Sequence, residues 1–278
     1  MSKLPGLLKS LESKDRAIPL VMGILNVTPD SFSDGGHFNS KESMLSQIES
    51  MLEAGVDIID IGGESTRPGA NPVSLNDELD RVLPAIELVQ SCSDVAISID
   101  TYKPEVMQAT IAKGVDMIND VNALQATNAV EVVSRAGIPV CLMHKKGDPL
   151  NMQQAPVYND VTQEVLEFLL QRASVCEQAG ILPEHILLDP GFGFGKTLEH
   201  NIDLFKNLSN FIDLKFPLLV GVSRKRMIGA LMGDVDVNDR LCGSVAAAIV
   251  AANKGAKIIR VHDVEETIQA LKVASILY

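Results

Sequence analysis

Polar side chains that can do chemistry follow one apolar segment after another along this sequence. Eight short runs rich in Val, Ile and Leu each end at, or just before, an Asn, Asp, Glu, Ser, Lys, Arg or His. These residues are Asn26, Asp60, Glu64, Asp100, Asn119, Asp120, His144, Asp189, Ser223, Lys225, Arg260 and His262. Side chains of these types hydrogen-bond polar ligands, and the lysine and arginine also bind anions. As a set they predict the active site of an enzyme.

Each of these residues also has an ordinary structural explanation. Asp and Asn side chains commonly cap helices or hold turns by hydrogen bonding to the backbone. For a single residue, both explanations stay open. A polar residue after every apolar run is more than capping alone requires, so the set favours a functional ring.

Two segments predict mobile loops over such a site. Residues 26–36, NVTPDSFSDGG, and residues 62–69, GGESTRPG, are rich in turn-forming residues and show neither helical nor strand periodicity. Ordinary turn chemistry is the alternative explanation. Asn26, Thr66 and Arg67 favour a function, because an amide, a hydroxyl and a guanidinium suit an anion or a metal–phosphate group.

Two further segments resemble anion-binding motifs. Residues 190–197, PGFGFGKT, have Pro190 where the pattern GxxxxGK[ST] needs Gly, and Lys196 where GxGxxG needs its third Gly. We therefore expect these glycines to let the backbone approach a flat ligand beside Asp189. Residues 223–229, SRKRMIG, place three cations at the start of a helix. In an acidic protein this favours a binding role over a solvated basic run.

The elements that must position the ring are apolar runs separated by helical stretches. None of the runs alternates cleanly between polar and apolar residues, which is typical of parallel strands buried on both faces. The predicted strands are 19–25, 56–61, 95–99, 115–118, 138–143, 185–188, 217–222 and 257–261. Helical periodicity is clear in 41–55, 75–91, 104–114, 158–180 and 244–255. Gly55, Gly114, Gly137 and Gly255 fit the left-handed position that ends a helix.

Strands that alternate with helices predict an α/β fold with a parallel sheet. Eight strands in 278 residues favour a closed (β/α)₈ TIM barrel over an open doubly wound sheet. We expect one domain over residues 1–278, with its core at about 18–277, since no linker-like segment divides the chain. The carboxyl ends of barrel strands converge on the active site, and the polar ring stands at those ends.

Composition and charge exclude several classes of protein. The chain is 46% hydrophobic but only 4% aromatic, with no Trp, so its core must be aliphatic. No apolar run reaches the roughly 18 residues of a membrane span, and the N-terminus has no secretory pattern. The net charge of −12 argues against nucleic acid and anionic membranes as partners. Four dispersed cysteines predict buried thiols in a reducing cytoplasm, with a metal cluster or catalytic cysteine as the weaker alternative.

Seven segments carry a resemblance to a known family. They are MGILNVTPDSFSDGG, IIDIGGESTRPGA, ISIDTYKP, INDV, LLDPGFGFGK, VGVSRK and IRVHDV. In this order, from about residue 20 to residue 265, the sequence resembles the dihydropteroate synthases of folate biosynthesis. The first two segments are long and specific. The resemblance implies a (β/α)₈ barrel transferase that joins (7,8-dihydropterin-6-yl)methyl diphosphate to 4-aminobenzoate, giving 7,8-dihydropteroate and diphosphate.

The resemblance also implies which residues bind the pterin. A carboxylate can accept both the N–H and the NH₂ of a pterin edge, and Asp189 is the candidate for this pairing. Asn119 and Asp100 would satisfy neighbouring ring atoms, and Lys225 would donate to the ring carbonyl or a ring nitrogen. The remaining pocket residues that the resemblance implies are Met143, Phe194 and Gly221.

The diphosphate needs positive charge where it departs. The resemblance assigns this part to Arg260, His262, Asn26, Thr66 and Arg67, with Mg²⁺ bridging the phosphates and Asn26 as its protein ligand. Substrate contacts on the loops would come from Phe32, Asp34 and Pro68, which would close over 4-aminobenzoate near Ser223 and Lys225. The catalytic set is Asp100, Lys225, Arg260 and His262. No general base is assigned, because the arylamine is already neutral at pH 7.

Three rival functions stay open. A pterin-binding methyltransferase should not need the NVTPDSF and ESTRPG loops, and a non-catalytic pterin-binding relative should have lost a loop, Lys225 or Arg260. A barrel aldolase would use Lys225 as a Schiff base. Family resemblance further implies a homodimer and competition by sulfonamides. Among the remaining histidines, we expect His37 in a solvent-facing loop, His144 at the pocket wall, and His185 and His200 at the surface or at helix caps.

Overall fold

The computed structural model describes most of the chain. The described residues are 2–11, 17–28, 36–65, 69–147, 152, 156–212 and 214–277, with the backbone alone for residues 36–40. Within these ranges, eight strands alternate with helices along the chain. Every described helix is too short or too polar to cross a lipid bilayer.

The eight strands are parallel and follow one another around a barrel. They are β1 (Leu20–Asn26), β2 (Ile58–Gly62), β3 (Ala96–Asp100), β4 (Met117–Asp120), β5 (Val140–Met143), β6 (Ile186–Asp189), β7 (Leu219–Val220) and β8 (Ile258–Val261). Strands β1 to β6 pair in sequence, and β8 lies between β1 and β7. Leu188 pairs with Leu218 ahead of β7, and its N–H donates to the Pro217 carbonyl at 3.0 Å. This contact closes the ring, so the predicted TIM barrel is confirmed and an open doubly wound sheet is excluded.

The helices surround the barrel and one closes its end. They are α1 (Leu4–Ser10), α2 (Gly36–Ala54), α3 (Leu75–Cys92), α4 (Pro104–Ala112), α5 (Ala129–Ala136), α6 (Val161–Gln178), α7 (Leu198–Lys206), α8 (Arg226–Leu231), α9 (Leu241–Asn253) and α10 (Val264–Leu277). The four glycines predicted to end helices all have positive φ, between +65° and +97°. The backbone of His37 lies in α2, so the prediction that it stands in a loop is wrong.

The α1 helix was not predicted, and it closes the amino-terminal end of the barrel. Leu4 is only 1% exposed and packs among side chains from the strand starts, including Leu20 and Met22. The Lys3 N–H donates to Asp116 Oδ1 at 2.7 Å, and Asp116 Oδ2 accepts the Ile97 N–H at 3.0 Å. Because α1 covers this end within the described residues, the carboxyl ends of the strands are the expected approach to the barrel axis for a ligand.

The helix starts have local causes in the sequence. Ser74 Oγ accepts the Asp77 N–H at the start of α3, and Asp160 does the same for the Gln163 N–H at the start of α6. Such side-chain caps satisfy backbone donors that have no partner within the helix. At the start of α7, Thr197 and His200 form a reciprocal capping box, which confirms the helix-cap prediction for His200.

Candidate active site

The strand register brings several ring residues to one level at the carboxyl end of the barrel. Asn26 on β1 pairs with Gly62, Gly62 with Asp100 on β3, and Asp100 with Asn119 on β4. Gly62 leaves room here, since a Cβ on it would stand 3.7 Å from Asn26 Oδ1 and 3.6 Å from Asp100 Cβ. The structure therefore gathers residues that stand almost 100 positions apart in sequence.

An arginine and two carboxylates form the centre of this level. Arg260 Nε donates to Asp60 Oδ2 at 2.6 Å, and Arg260 Nη2 donates to Asp100 Oδ2 at 2.8 Å. Asn119 Nδ2 donates to the same Asp60 oxygen at 3.1 Å. The side chain of Arg260 is 19% exposed and that of Asp60 is fully buried. Residues from β8, β2, β3 and β4 are thus joined inside the barrel.

Burial and charge act in opposite directions on this centre. Burial penalises the charged guanidinium, but the two carboxylates together raise the pKa of Arg260 above its ordinary value. Burial raises the pKa of Asp100 to about 7, and Arg260 opposes that rise while Asp60 adds to it. Arg260 is therefore a permanent cation, and Asp100 can hold a proton near neutral pH.

Asp60 is a site residue to which the sequence analysis assigned no role beyond ring membership. Its Oδ2 accepts from Arg260 and Asn119, while Oδ1 is buried without a hydrogen bond among the described residues. Its position two residues before Gly62 on β2 is the signal that was available, because alternate strand residues face the same side.

A lysine and a carboxylate form a second group at the mouth. Asp189, which ends β6, is 6% exposed, and its Oδ1 accepts the Gly191 N–H at 2.7 Å. Burial raises the pKa of Asp189, and Lys225 opposes that rise. Lys225 Nζ donates to the Phe192 carbonyl and stands 4.5 Å from the centre of the Phe194 ring. Burial lowers the pKa of Lys225 to about 8, although Asp189 opposes the shift.

The other predicted pocket residues lie beside these two groups. Met143 pairs with Asp189 in the β5–β6 register, and a Cβ on Gly221 would stand 3.5 Å from the Cβ of Arg260. Ser223 Oγ lies 3.2 Å from both the backbone N–H and the Nδ1 of His262. Ser223 was predicted near 4-aminobenzoate, and in the structure its hydrogen bonds orient His262.

For three polar residues of the mouth, the ordinary structural explanation is sufficient. Asp120 accepts the Asn122 and Leu124 N–H groups, each at 2.7 Å, and so holds the turn after β4. Glu64 is bound by Lys103 and by the Tyr102 hydroxyl. Arg224 pairs with Asp263, whereas Lys225 contacts the segment beside Asp189.

Two glycines of the segment after β6 have a structural role of their own. A Cβ on Gly191 would stand 1.8 Å from the His144 carbonyl oxygen, and one on Gly195 would stand 2.1 Å from that of Lys146. Both glycines also have positive φ. Their missing side chains let the segment pack against the chain after β5, and the predicted approach of this segment to a flat ligand stays a prediction.

Five predicted loop residues lie outside the described residues. They are Phe32, Asp34, Thr66, Arg67 and Pro68. Within the described ranges, no group of three or more His, Cys, Asp or Glu side chains is arranged to hold a metal ion. Asn26, the predicted metal ligand, stands at the end of β1 with its amide oxygen beside Gly62.

Comparisons with known proteins agree with this geometry. The family described as "Pterin binding enzyme" matches residues 22–262 of the chain. The chain is 52% identical over 261 residues to the dihydropteroate synthase of Escherichia coli K12, covering 94% of this chain and 92% of that one. It is 51% identical over 259 residues to that of Haemophilus influenzae, covering 93% and 94%.

Solved structures show the same similarity in three dimensions. A Yersinia pestis dihydropteroate synthase with a sulfonamide drug complex has a TM-score of 0.89 at 49% identity, and 94% of each chain is covered. A Xanthomonas albilineans dihydropteroate synthase with 4-aminobenzoic acid has a TM-score of 0.88 at 47% identity, with 94% of this chain and 93% of that chain covered. Another from the same organism, in complex with 7,8-dihydropteroate, has a TM-score of 0.85 at 43% identity, with 94% of each covered.

Proposed function

The chain belongs to the dihydropteroate synthase family of pterin-binding enzymes, and from this we infer the reaction and propose how its residues perform it. The enzyme is a transferase that joins (7,8-dihydropterin-6-yl)methyl diphosphate to 4-aminobenzoate and releases diphosphate. The observation that best supports the residue roles below is that one segment after β6 contacts both Asp189 and Lys225, through the Gly191 N–H and the Phe192 carbonyl. Both side chains also lie within electrostatic range of Arg260. The similarity to dihydropteroate synthases argues against the methyltransferase and aldolase alternatives.

We propose that Asp189 and Lys225 recognise opposite polar edges of the pterin. A carboxylate accepts two parallel N–H groups, as the amino and ring N–H of a pterin present them, and an ammonium donates to the ring carbonyl. Asn119 and Asp100 supply further polar contacts at the same level of the barrel. Buried polar groups left unpaired by a wrong heterocycle would give strong selectivity. Met143, Phe194 and Gly221 would complete the pocket wall.

We propose that the leaving diphosphate departs toward Arg260 and His262. Arg260 remains charged because two carboxylates hold it, and Ser223 orients the His262 ring. Positive charge fixed before the reaction stabilises the negative charge that develops on the leaving group. Loss of diphosphate leaves positive charge on the pterin methylene, which Asp60 and Asp100 would stabilise. The neutral arylamine then attacks without a strong general base, and the proton that its nitrogen loses as the C–N bond forms passes to solvent or to the released diphosphate. Thr66 and Arg67 stay predictions for this half of the site.

We propose Mg²⁺ as the partner of the diphosphate, with Asn26 as its protein ligand. Mg²⁺ prefers oxygen donors and often keeps several waters while binding one or two protein groups and substrate phosphates. The amide oxygen of Asn26 at the barrel mouth suits that role. When bound, the metal would neutralise phosphate charge. The loop residues Phe32, Asp34 and Pro68 are proposed to close over 4-aminobenzoate, where sulfonamides would compete.

The assembled reaction can be tested with the purified protein. With both substrates and Mg²⁺, we expect dihydropteroate and diphosphate in equal amounts, measured by chromatography and a phosphate assay after pyrophosphatase treatment. Removing Mg²⁺ with a chelator should slow the reaction at least about tenfold, because the leaving group loses its counter-charge. Unchanged product formation after chelation would reject the metal role while leaving the transferase activity intact.

The role of Asp189 predicts a selective loss of pterin affinity. Asp189→Asn keeps the size of the side chain but removes a charge-assisted pairing worth about 1.5–3 kcal/mol. We expect the Kd for the pterin substrate, measured by calorimetry, to rise about 10- to 150-fold.

A matched control is Asp120→Asn, the same change at the end of β4. Asp120 holds a turn through two backbone N–H groups, so this variant should lose about 1 kcal/mol of stability and keep its pterin affinity. Equal pterin affinities for Asp189→Asn and the unchanged protein would show that Asp189 does not bind the ring.

The lowered pKa of Lys225 predicts a pH dependence with a definite direction. The ammonium is charged below about pH 8 and loses its charge as the pH rises through that value. Because the free enzyme's groups govern kcat/KM, kcat/KM for the pterin substrate should fall above about pH 8. Lys225→Arg stays charged and should remove this alkaline decline, even if its overall rate is lower. A decline that is identical in both proteins would assign it to another group.

Three further properties of the protein are also proposed. We propose that residues 1–278 form one domain, that two copies form a homodimer, and that the enzyme works in the cytoplasm. Val250 on α9 and Val273, Ile276 and Leu277 on α10 are exposed apolar residues that a second copy would cover. All four cysteines are free, which suits a reducing compartment. Sedimentation of the purified chain at the mass of one copy would reject the dimer. Unfolding in two separate cooperative transitions would reject the single domain. Activity recovered outside the cytoplasmic fraction would reject the location.

A further inference from the structure

Lys196 is a buried lysine to which the reaction assigns no part. Lys196 is only 2% exposed. Among the described residues, the hydrogen-bond partners of its amine include no carboxylate. A lysine in this position is costly unless its amine is fully hydrogen-bonded.

The amine of Lys196 has three partners, all of them backbone or neutral groups. It lies 2.9 Å from His144 Nδ1, and it donates to the Gly191 carbonyl at 2.8 Å and to the Phe194 carbonyl at 3.2 Å. Burial lowers the pKa of His144 to about 2, so the ring is neutral at physiological pH. The lysine thus joins the chain after β5 to two points of the segment after β6.

Two carbonyls of this segment converge on the Lys196 amine. In a phosphate-binding loop the backbone N–H groups point inward instead. In the glycine-rich segment, carbonyl oxygens point inward to the Lys196 amine, which is the reverse of the phosphate-binding motif that its sequence resembles. It surrounds the Lys196 amine with acceptors, and it has no inward N–H cradle for a phosphate at that position.

The same segment carries direct contacts to both proposed pterin-binding groups. The Gly191 N–H donates to Asp189 Oδ1 at 2.7 Å, and the Phe192 carbonyl accepts from Lys225. Further side chains hold its outer half, since Asn201 Oδ1 accepts the Gly193 N–H at 2.7 Å and the Tyr158 hydroxyl donates to the Gly195 carbonyl at 2.9 Å. Lys196 contacts the same segment from its buried side.

We propose that Lys196 is a positioning residue for pterin recognition: its amine holds the Gly191 and Phe194 carbonyls against His144 and so fixes the segment that orients Asp189 and Lys225. This inference rests on the pterin-binding roles proposed above for those two residues. It predicts that loss of the amine weakens pterin binding more than 4-aminobenzoate binding, because Asp189 is assigned to the pterin alone while Lys225 is placed near both substrates.

The test is Lys196→Met, which keeps a similar side-chain length and removes the amine. We expect the Kd and the KM for the pterin substrate to rise at least about tenfold, while the KM for 4-aminobenzoate changes by less than about threefold. Lys146→Met is the matched control, because Lys146 is on the neighbouring segment but its side chain is 48% exposed and pairs with Glu164. This control should keep the pterin KM of the unchanged protein.

A second variant tests the same contact if Lys196→Met does not fold. His144→Phe keeps a ring against Phe168 but removes the Nδ1 partner of the amine. It should shift the pterin KM in the same direction by a smaller factor, again without a matching change for 4-aminobenzoate. Equal changes in both KM values, or unchanged pterin affinity in folded variants, would overturn the positioning role.

The parallel measurement on Asp189→Asn separates this inference from the proposed function. If Asp189→Asn loses pterin affinity and Lys196→Met does not, the positioning role is wrong and the pterin site stands. If Asp189→Asn itself binds the pterin as tightly as the unchanged protein, the proposed site is wrong, and the premise of the positioning role fails with it.

Discussion

The buried contact of Arg260 with Asp60 and Asp100 is the constraint on which the active site depends. It joins β8 to β2 and β3 across the inside of the barrel, and Asn119 adds β4 through the same Asp60 oxygen. Charges in such a place must be paired, because an unpaired buried charge costs several kcal/mol. Removing Arg260 would leave both carboxylates without their cation, whereas removing either carboxylate would leave Arg260 with the other one. The position of the polar ring is therefore set by the network as a whole.

This network also determines the balance of charge at the centre of the site. Two carboxylates face one guanidinium, so the centre has an excess of acceptor atoms. Burial raises the pKa of Asp100, and the neighbouring Asp60 adds to that rise. Arg260 is consequently both a partner of carboxylates and the cation proposed to face the leaving group. Because the centre carries no net positive charge, binding of the diphosphate here would depend on the proposed Mg²⁺ as well as on Arg260. The carboxylates suit the positive charge that the proposed reaction would place on the pterin methylene.

Features with a local cause could be predicted from the sequence. The eight strands follow from apolar runs without alternation, and the helix ends follow from glycines such as Gly55 that adopt positive φ. Helix α1 was missed because its seven residues show no clear periodicity, and its cause is the open barrel end that Leu4 fills. Its stability comes from tertiary packing, which no local pattern reveals.

The site was predicted as a set of residues but not as a set of contacts. Arg260 and Asp60 stand 200 positions apart, and nothing local to either residue indicates the pairing. The same holds for Lys196, whose motif suggested a ligand and whose partners are the chain's own carbonyls. Asp120 and Arg224 show the reverse case, since each belongs to a functional-looking run and serves the fold.

A double-mutant cycle on Asp60 and Arg260 tests most directly whether this buried contact organises the site. The free energy of unfolding would be measured by urea denaturation for Asp60→Asn, Arg260→Met and the double variant. Arg260→Met should cost about 3–5 kcal/mol, because it leaves two buried carboxylates without their cation. Asp60→Asn should cost less, because Arg260 keeps its hydrogen bond to Asp100. The double variant should cost less than the sum, with a coupling of at least about 2 kcal/mol. Costs that add to within about 0.5 kcal/mol would contradict the claim that the two residues act as one unit.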